Sequence, residues 1–146
     1  MKIRKAKNSD LPQLIQLSQQ LWPGLKKEEL AESFLETFNS PKEITFISEY
    51  NNATIGFAIC SLRSDYVEGA DETPICYLKA IFIVPGFRQK GWARNLLAHS
   101  EKWCLEQGCR QIASDTELTN LVSQQFHQHI GFEEVNRIVC FVKNIK

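Results

Sequence analysis

The chain has 146 residues, of which 43% are hydrophobic and 23% are charged, so it has the size and composition of one soluble globular domain. Its 17 Lys and Arg residues balance its 17 Asp and Glu residues, and the formal net charge is zero. This balance argues against a dedicated nucleic-acid binder and against general electrostatic attraction to an anionic membrane. No apolar run approaches the roughly 20 residues of a membrane span, and the basic N-terminus lacks the features of a signal peptide, so we expect a cytoplasmic protein.

The first half of the chain predicts a short strand, two amphipathic helices and a β-hairpin. Ser9 is placed to cap the first helix, and apolar residues recur at helical spacing through both helical stretches. Asn51-Asn52 between two strand-like runs is typical of a hairpin. The predicted elements are a strand at 3–6, a helix ending at Pro23-Gly24, a helix ending before Pro41, and strands at 44–50 and 54–63.

The second half predicts a buried central strand and then two helix–strand pairs. The run 75–84 is almost entirely apolar, which is typical of a strand buried on both faces, and Pro85-Gly86 ends it. A helix beginning near Gly91 carries apolar residues down one side and ends at Gly108. The remaining predicted elements are a fifth strand at 110–115, a helix at 120–129 and a final strand at 133–143. We therefore expect one α+β domain spanning 1–146.

The cysteines are odd in number and include no Cys-x-x-Cys pair. This pattern favours free thiols in a reducing cytosol over a disulfide framework or a zinc site. Most cysteines are then expected to serve as small buried hydrophobic residues. They are Cys60, Cys76, Cys104, Cys109 and Cys140.

A basic turn, Arg88-Gln89-Lys90-Gly91-Trp92-Ala93-Arg94, lies between the central strand and the helix that follows it. A helix start presents free N–H groups and the positive end of the backbone dipole, so it can bind an anion such as a phosphate. Gly91 would let the backbone approach a phosphate closely, and Ala93 keeps the first turn uncrowded. From charge alone, a solvated basic helix start is an equally good interpretation.

The spacing Arg-x-x-Gly-x-Ala, formed by Arg88, Gly91 and Ala93 after an apolar strand, resembles the acyl-CoA-binding motif of the GNAT N-acetyltransferase superfamily. Downstream, Asn120 and His127-x-x-x-Gly131-Phe132 are similar to the closing motif of that family. The resemblance implies an α/β/α sandwich whose mixed, mostly antiparallel central sheet is splayed between the fourth and fifth strands and flanked by helices. It also implies acetyl-CoA as the acyl donor, with no metal.

The resemblance assigns cofactor roles to the central strand and to the basic turn. The strand backbone is expected to pair with the pantetheine arm in the splayed gap, and the turn is expected to cradle the pyrophosphate. A backbone N–H near Ile81 could polarise the acetyl carbonyl. The implied cofactor-binding residues are Ile81, Phe82, Ile83, Gln89, Lys90, Gly91, Trp92, Ala93, Arg94 and Asn120.

Two side chains are candidates for proton transfer. His127 stands where the family often has a tyrosine that protonates the leaving thiolate, and it shares a helix face with Asn120 seven residues earlier. A structural histidine near the cofactor is the alternative, and His129, on the apolar side, is interpreted as structural. Asp115 ends the fifth strand and could bind the substrate ammonium or accept its proton as a general base. Its alternative role is an N-cap of the next helix.

Four phrases spread along the chain resemble the small dimeric aminoglycoside 6′-N-acetyltransferases. This resemblance implies that Trp22, Tyr66 and Asp115 contact a sugar amine and that the protein is a homodimer. A small cationic acceptor also suits the residues, because 65–72 contains four acids and no base. Trp22 and Tyr66 could stack on a sugar face or an ammonium; an exposed acidic loop with Trp22 in the core is the alternative. The phrases are Leu21-Trp22-Pro23-Gly24, Asp65-Tyr66-Val67-Glu68-Gly69, Phe87-Arg88-Gln89-Lys90-Gly91 and Ala113-Ser114-Asp115-Thr116.

Three positions depart from the pattern of those enzymes. Relatives carry an acid at the positions of Lys79 and Asn136, and some carry a histidine at that of Leu25. Replacing an acid by Lys79 disfavours a polycationic acceptor unless a neighbouring acid pairs with the lysine. Two other functions therefore stay open: a GNAT enzyme for another amine, such as a polyamine or amino sugar, and a non-catalytic acyl-CoA-binding domain.

Overall fold

Five strands in chain order form one sheet at the centre of the computed structural model, which describes residues 1–146. Neighbouring strands run antiparallel except for the last pair, which is parallel. Asn51 and Asn52 adopt positive φ values of 49° and 63° in the turn between the second and third strands, as the hairpin pattern predicts. The strands are β1 (Lys2–Lys5), β2 (Glu43–Tyr50), β3 (Ala53–Arg63), β4 (Ile75–Ile83) and β5 (Ile112–Ala113).

Four helices cover the two faces of the sheet, which confirms the predicted α/β/α sandwich. The first two pack on one face, where Leu14, Leu17 and Phe34 meet apolar side chains of β2, β3 and β4. The third packs on the opposite face through residues that include Leu96 and Leu97. No helix combines the length and the hydropathy that a membrane span requires. The helices are α1 (Leu11–Leu21), α2 (Lys27–Asn39), α3 (Trp92–Glu106) and α4 (Leu121–His129).

β4 and β5 separate soon after they meet. Only Cys76 and Tyr77 of β4 pair with β5, and beyond them no strand lies along that side of β4. A β-bulge lies at the same point, because the β3–β4 register skips Lys79 and leaves it without an opposite residue. The predicted splay between the fourth and fifth strands is confirmed, and it opens beside Lys79.

The predicted final strand at 133–143 is wrong for the single chain. Residues 133–146 form no helix or strand, and their backbone groups make no backbone–backbone hydrogen bond. The segment exposes its apolar side chains, with Phe141 and Val142 92% and 95% exposed. A strand needs a neighbouring edge to accept its hydrogen bonds, and this segment meets none within the chain. The fifth strand is shorter than predicted for a related reason: it diverges from its single neighbour.

The first helix begins at Leu11, and Ser9 does not cap it. The buried residue at this point is Asp10, whose carboxylate accepts hydrogen bonds from the Lys7 backbone at 2.8 Å and from Arg4 at 2.7 and 2.8 Å. The Arg4 guanidinium holds the pKa of Asp10 below its ordinary value. The Arg4–Asp10 ion pair, and not a Ser9 cap, therefore holds the N-terminal end of α1.

Two of the five cysteines are paired, which corrects the expectation that all thiols are free. Cys76 in β4 and Cys104 in α3 form a disulfide with their Cα atoms 5.7 Å apart. Cys60 and Cys109 are buried free thiols, and Cys140 is an exposed one. The paired cysteines are 28 residues apart in sequence, and only the packing of α3 on β4 brings them together.

Candidate active site

The backbone of β4 lines one side of the gap that opens beyond β5. Successive residues of a strand turn their N–H and carbonyl groups to alternate edges. The Val84 N–H donates to the Ile55 carbonyl of β3, so Phe82, two residues earlier, faces β3 as well. Ile81 and Ile83 face the gap, where the Arg88 Nε donates to the Ile83 carbonyl at 2.8 Å. Phe82 thus differs from the expectation, because its backbone groups belong to the β3–β4 ladder.

The turn before α3 carries a row of free backbone donors. Gln89 and Gly91 have positive φ values of 61° and 88°, and the helix begins at Trp92. The N–H groups of residues 89–94 donate to no backbone acceptor. The first backbone hydrogen bond of the helix is donated by the Asn95 N–H to the Gly91 carbonyl, at 3.1 Å. These free donors lie at the positive end of the α3 dipole, an arrangement that suits an anion, and we call residues 89–94 the N–H cradle.

Cationic side chains surround the N–H cradle and hold neighbouring backbone. The Lys90 Nζ donates to the Gly86 carbonyl at 3.1 Å, and Arg94 donates to the His129 carbonyl at 3.2 Å, which joins α3 to α4. The Trp92 side chain is buried, 7% exposed, against Phe87. Trp92 can therefore offer a ligand its backbone N–H but not its ring.

The start of α4 separates the roles of two predicted site residues. The Asn120 Oδ1 accepts a hydrogen bond from the Ser123 N–H at 3.0 Å, so Asn120 is the N-cap. Its side-chain oxygen is thereby occupied, and only its amide NH₂ group is left for a cofactor. Asp115 lies outside this cap, and the N-cap interpretation of Asp115 does not hold.

Asp115 presents an exposed carboxylate where the chain leaves β5. The hydroxyl of Tyr77, on β4, donates to its Oδ2 across the base of the gap. Burial and the Asp115 carboxylate raise the pKa of Tyr77 well above its ordinary value, so this hydroxyl stays a donor. The Arg63 guanidinium lies over the Tyr77 ring, 4.7 Å from its centroid, and also pairs with Asp65 at 2.6 Å. Tyr77 therefore fixes the direction of the Asp115 carboxylate.

His127 lies half-buried in α4 with both ring nitrogens engaged. Its Nδ1 is 2.7 Å from the Ser123 carbonyl, and its Nε2 is 2.9 Å from the hydroxyl of Ser114, the residue that follows β5. The same hydroxyl lies 3.2 Å from the Leu78 carbonyl of β4. Phe132 packs edge-on against the imidazole at 5.3 Å between ring centroids. His127 thus reaches the base of the gap through Ser114.

A small cavity of about 200 Å³ lies between α2 and the sheet. The half-buried Trp22 packs on Phe57, 6.4 Å between ring centroids, and forms one wall. Lys79 reaches the same cavity and pairs with Glu43 of β2, Nζ to Oε1 at 2.9 Å. The acid that pairs with Lys79 is therefore on β2, two strands away in the sheet. The lining residues are Trp22, Leu25, Glu29, Leu30, Ser33, Phe34, Thr37, Ile59 and Lys79.

The acidic loop before β4 is less negative than its sequence indicates. Asp65 is paired with Arg63, just outside the 65–72 window, and this guanidinium holds the pKa of Asp65 below its ordinary value. Tyr66 is 76% exposed, and its hydroxyl donates to Glu68 at 2.7 Å. Asn136 also donates to Glu68, at 2.8 Å. Tyr66 is not among the residues that line the cavity walled by Trp22.

A family model described as the acetyltransferase (GNAT) family matches residues 11–132, a span that holds the splayed strands and the N–H cradle. The chain belongs to the GNAT acetyltransferase family. Among its GNAT relatives, the aminoglycoside N(6′)-acetyltransferase type 1 of Salmonella typhimurium is 38% identical over 143 residues, which cover 98% of this chain and 99% of the relative. The enzyme of the same name from Serratia marcescens is 36% identical over 126 residues, 86% of each chain.

Solved GNAT structures are similar over nearly the whole chain. One is AAC(6′)-Iy in complex with a bisubstrate analog, CoA-S-monomethyl-acetylneamine, with a TM-score of 0.94, 38% identity, and 99% and 98% of the two chains covered. Another is the apo aminoglycoside antibiotic 6′-N-acetyltransferase AAC(6′)-IG from Acinetobacter haemolyticus, with a TM-score of 0.96, 26% identity and both chains fully covered.

In this GNAT domain the splay brings together residues that are distant in sequence. The free backbone edge of β4, Asp115 and the Ser114–His127 pair all lie where β4 and β5 part. Sequence reasoning missed Tyr77 and Ser114. The sequence offered one signal for each residue. Tyr77 carries a hydroxyl within the otherwise apolar run of β4, and Ser114 directly precedes the candidate base Asp115. Neither signal indicates which side chain each would meet.

Proposed function

We infer that the protein is an acetyl-CoA-dependent N-acetyltransferase that transfers the acetyl group directly to a small cationic amine, the 6′-amine of an aminoglycoside. The observation that carries the reaction class is the splay, where the unpaired edge of β4 leads to the N–H cradle at residues 89–94. The acceptor is inferred from the relatives named aminoglycoside N(6′)-acetyltransferase, which match essentially the full chain. A polyamine or amino-sugar acetyltransferase is the alternative that Lys79 keeps open.

We assign the donor to the surface formed by β4 and the N–H cradle. Free N–H groups at the start of α3 suit the pyrophosphate of CoA, with Lys90 and Arg94 beside them. The gap-facing N–H and carbonyl of Ile81 and the N–H of Ile83 suit the amide groups of pantetheine, which would add to the sheet as a strand does; the Ile83 carbonyl already accepts from Arg88. The Ile81 N–H is our candidate for polarising the acetyl carbonyl. Orienting two bound reactants is worth about 7–11 kcal/mol and is the largest expected contribution.

We assign the acceptor amine to Asp115, with Trp22 and Tyr66 as contacts to the rest of the substrate. The carboxylate held by Tyr77 can bind an ammonium and take the proton that the amine must lose before it attacks. The bond from nitrogen to the acetyl carbon then forms, and the bond from carbon to sulfur breaks. The products are an amide, CoA thiol and one proton released to solvent.

Gly91→Val is expected to weaken acetyl-CoA binding at least tenfold, as measured by calorimetry. The positive φ of Gly91 strains any other residue, and the new side chain would crowd the N–H cradle. Gly108→Val is the matched control, because Gly108 has a similar φ of +85° but lies beyond the far end of α3. Equal losses of affinity in the two variants would show that strain, rather than the cradle, is responsible.

An acceptor panel tests the substrate class. CoA thiol release is measured with aminoglycosides that carry or lack a 6′-amine, with polyamines and with amino sugars, all at saturating acetyl-CoA. We expect turnover that requires the 6′-amine. Turnover of polyamines instead would replace the acceptor, and acetyl-CoA binding without any turnover would favour the non-catalytic binding domain.

We propose that a second copy of the chain covers residues 133–146, so that the protein is a homodimer. This segment has apolar residues at both odd and even positions, six of them at least 64% exposed, and its backbone groups make no backbone–backbone hydrogen bond. That pattern suits a strand buried against a sheet edge, which this chain does not supply. The six residues are Val135, Ile138, Val139, Phe141, Val142 and Ile145.

Phe141→Glu is expected to convert a dimer into a monomer, measured by sedimentation or light scattering at micromolar concentration. A carboxylate at this position would be buried without a partner in the proposed interface. Leu105→Glu, at a residue 65% exposed on α3, is the control that should leave the mass unchanged. A monomeric wild-type protein would contradict the proposal.

We further propose that 1–146 is a single GNAT domain that acts in the cytoplasm, where acetyl-CoA is made and used.

A further inference from the structure

Ser114 closes a chain of hydrogen bonds that runs from inside α4 to the base of the β4–β5 gap. The chain passes from the Ser123 carbonyl to His127 Nδ1 at 2.7 Å, and from His127 Nε2 to Ser114 Oγ at 2.9 Å. Ser114 Oγ then meets the Leu78 carbonyl at 3.2 Å. Ser114 directly follows the last residue of β5, so it lies where the two strands part.

The partners of His127 determine where its protons lie. A carbonyl oxygen only accepts, so the nitrogen 2.7 Å from the Ser123 carbonyl, Nδ1, must carry a hydrogen, and the Ser123 hydroxyl, 3.3 Å from the same nitrogen, is a second acceptor for it. In neutral His127 the other nitrogen is then an acceptor, and the Ser114 hydroxyl donates to it. In cationic His127 both nitrogens donate, and the Ser114 hydroxyl turns its single hydrogen to the Leu78 carbonyl or to another acceptor in the gap. Ser114 thus has two hydrogen-bonding states, which the protonation state of His127 selects.

Direct proton donation from His127 to a ligand is blocked in this arrangement. Both ring nitrogens are already bonded within the protein, and Phe126 and Phe132 pack edge-on against the ring, with centroids at 6.0 and 5.3 Å. The Ser114 hydroxyl is the member of the chain that reaches the gap. A group in the gap that needs a proton from His127 must therefore receive it through Ser114.

On the basis of the proposed acetyl transfer, we propose that Ser114 delivers the proton of His127 to the departing CoA thiolate. As the bond from carbon to sulfur breaks, sulfur takes the Ser114 hydroxyl proton, and Ser114 Oγ takes the Nε2 proton of cationic His127. CoA leaves as the neutral thiol, Ser114 is again a hydroxyl and His127 is neutral. Solvent returns one proton to His127 before the next turnover. The acceptor ammonium loses two protons in all, so the balance is one proton on the CoA thiol and one released to solvent.

Ser114→Ala is expected to lower kcat about 100-fold while leaving the acetyl-CoA dissociation constant and KM unchanged, since general-acid catalysis contributes at least that factor. His127→Gln should lose a similar factor, and the double variant should lose no more than either single variant, because both residues serve one step. Ser114→Thr, which keeps the hydroxyl, should recover most of the rate.

Ser100→Ala is the matched control, because it also removes a serine hydroxyl that donates to a carbonyl, Leu96 at 2.9 Å, but within α3. It should leave kcat unchanged. A normal kcat in Ser114→Ala, or losses that multiply in the double variant, would overturn the relay alone. A nitrogen NMR spectrum showing the hydrogen of neutral His127 on Nε2 would also overturn it, independently of turnover. A wild-type protein that binds acetyl-CoA but acetylates no amine would overturn the proposed function together with the relay.

Discussion

Asp115→Asn is expected to lower kcat/KM for the acceptor amine by at least 100-fold. The substitution preserves the size of the side chain and an oxygen that can accept the Tyr77 hydrogen bond, but it removes the charge that binds an ammonium and accepts its proton. General-base catalysis contributes roughly 10²–10⁴-fold, and the lost attraction for the ammonium adds to this factor. Thiol release at saturating acetyl-CoA measures the effect, and the KM for acetyl-CoA should not change.

Glu117→Gln is the control for Asp115. It removes the same charge two residues further along the same exposed connection, and its side chain makes no hydrogen bond in the structure. We expect less than a threefold change in kcat/KM. Equal losses in the two variants would mean that Asp115 acts only through the general negative potential of the loop and not through contact with the amine.

Lys79→Glu is expected to raise kcat/KM for polycationic acceptors about tenfold at low ionic strength. Lys79 lies at the bulge where the gap opens and reaches the cavity walled by Trp22. The substitution reverses its charge and also frees Glu43, which Lys79 now neutralises. Unit charges about 4 Å apart interact by roughly 4 kcal/mol at an effective dielectric constant of about 20, and a more distant ammonium would gain a fraction of that. The gain should shrink with added salt.

Three further variants separate the effect of the position of Lys79 from the effect of net charge. Lys79→Gln should give a smaller gain, and Glu43→Gln, which leaves Lys79 unpaired, should lower kcat/KM. Lys102→Glu changes the total charge by the same amount from an exposed site on α3 and should have no effect. If Lys79→Glu matched Lys102→Glu, Lys79 would not face the acceptor. Thermal unfolding of each variant shows whether the close approach of two acids at 43 and 79 destabilises the fold.

The features that could be predicted are those that neighbouring residues determine. The apolar run of β4, the Pro85-Gly86 break and Gly91 before α3 specify a buried strand, a turn and a helix start, and the free donors of the N–H cradle follow from them. The splay and the α/β/α arrangement were predicted only because these residues resemble the motifs of the GNAT family.

The features that could not be predicted depend on pairs of residues that are distant in sequence. Tyr77 meets Asp115 across 38 residues, and Lys79 meets Glu43 across 36. Ser114 meets His127 only because α4 packs back over the end of β5. Periodicity indicates which face of an element a side chain occupies, but not which residue of another element lies opposite.

Residues 133–143 show the boundary between local and tertiary information. Their composition correctly marks a segment suited to burial, but no edge within the chain accepts it, so it forms no strand. By itself, the sequence determined most of the helices and strands, the basic turn before α3 and a net charge of zero that conceals local clusters of charge. The tertiary structure decided how those charges are paired: Arg63 neutralises Asp65, and Glu43 neutralises Lys79. The physical reason is that backbone preference acts over a few residues, whereas electrostatic and hydrogen-bonding interactions depend on distances that only the folded chain establishes.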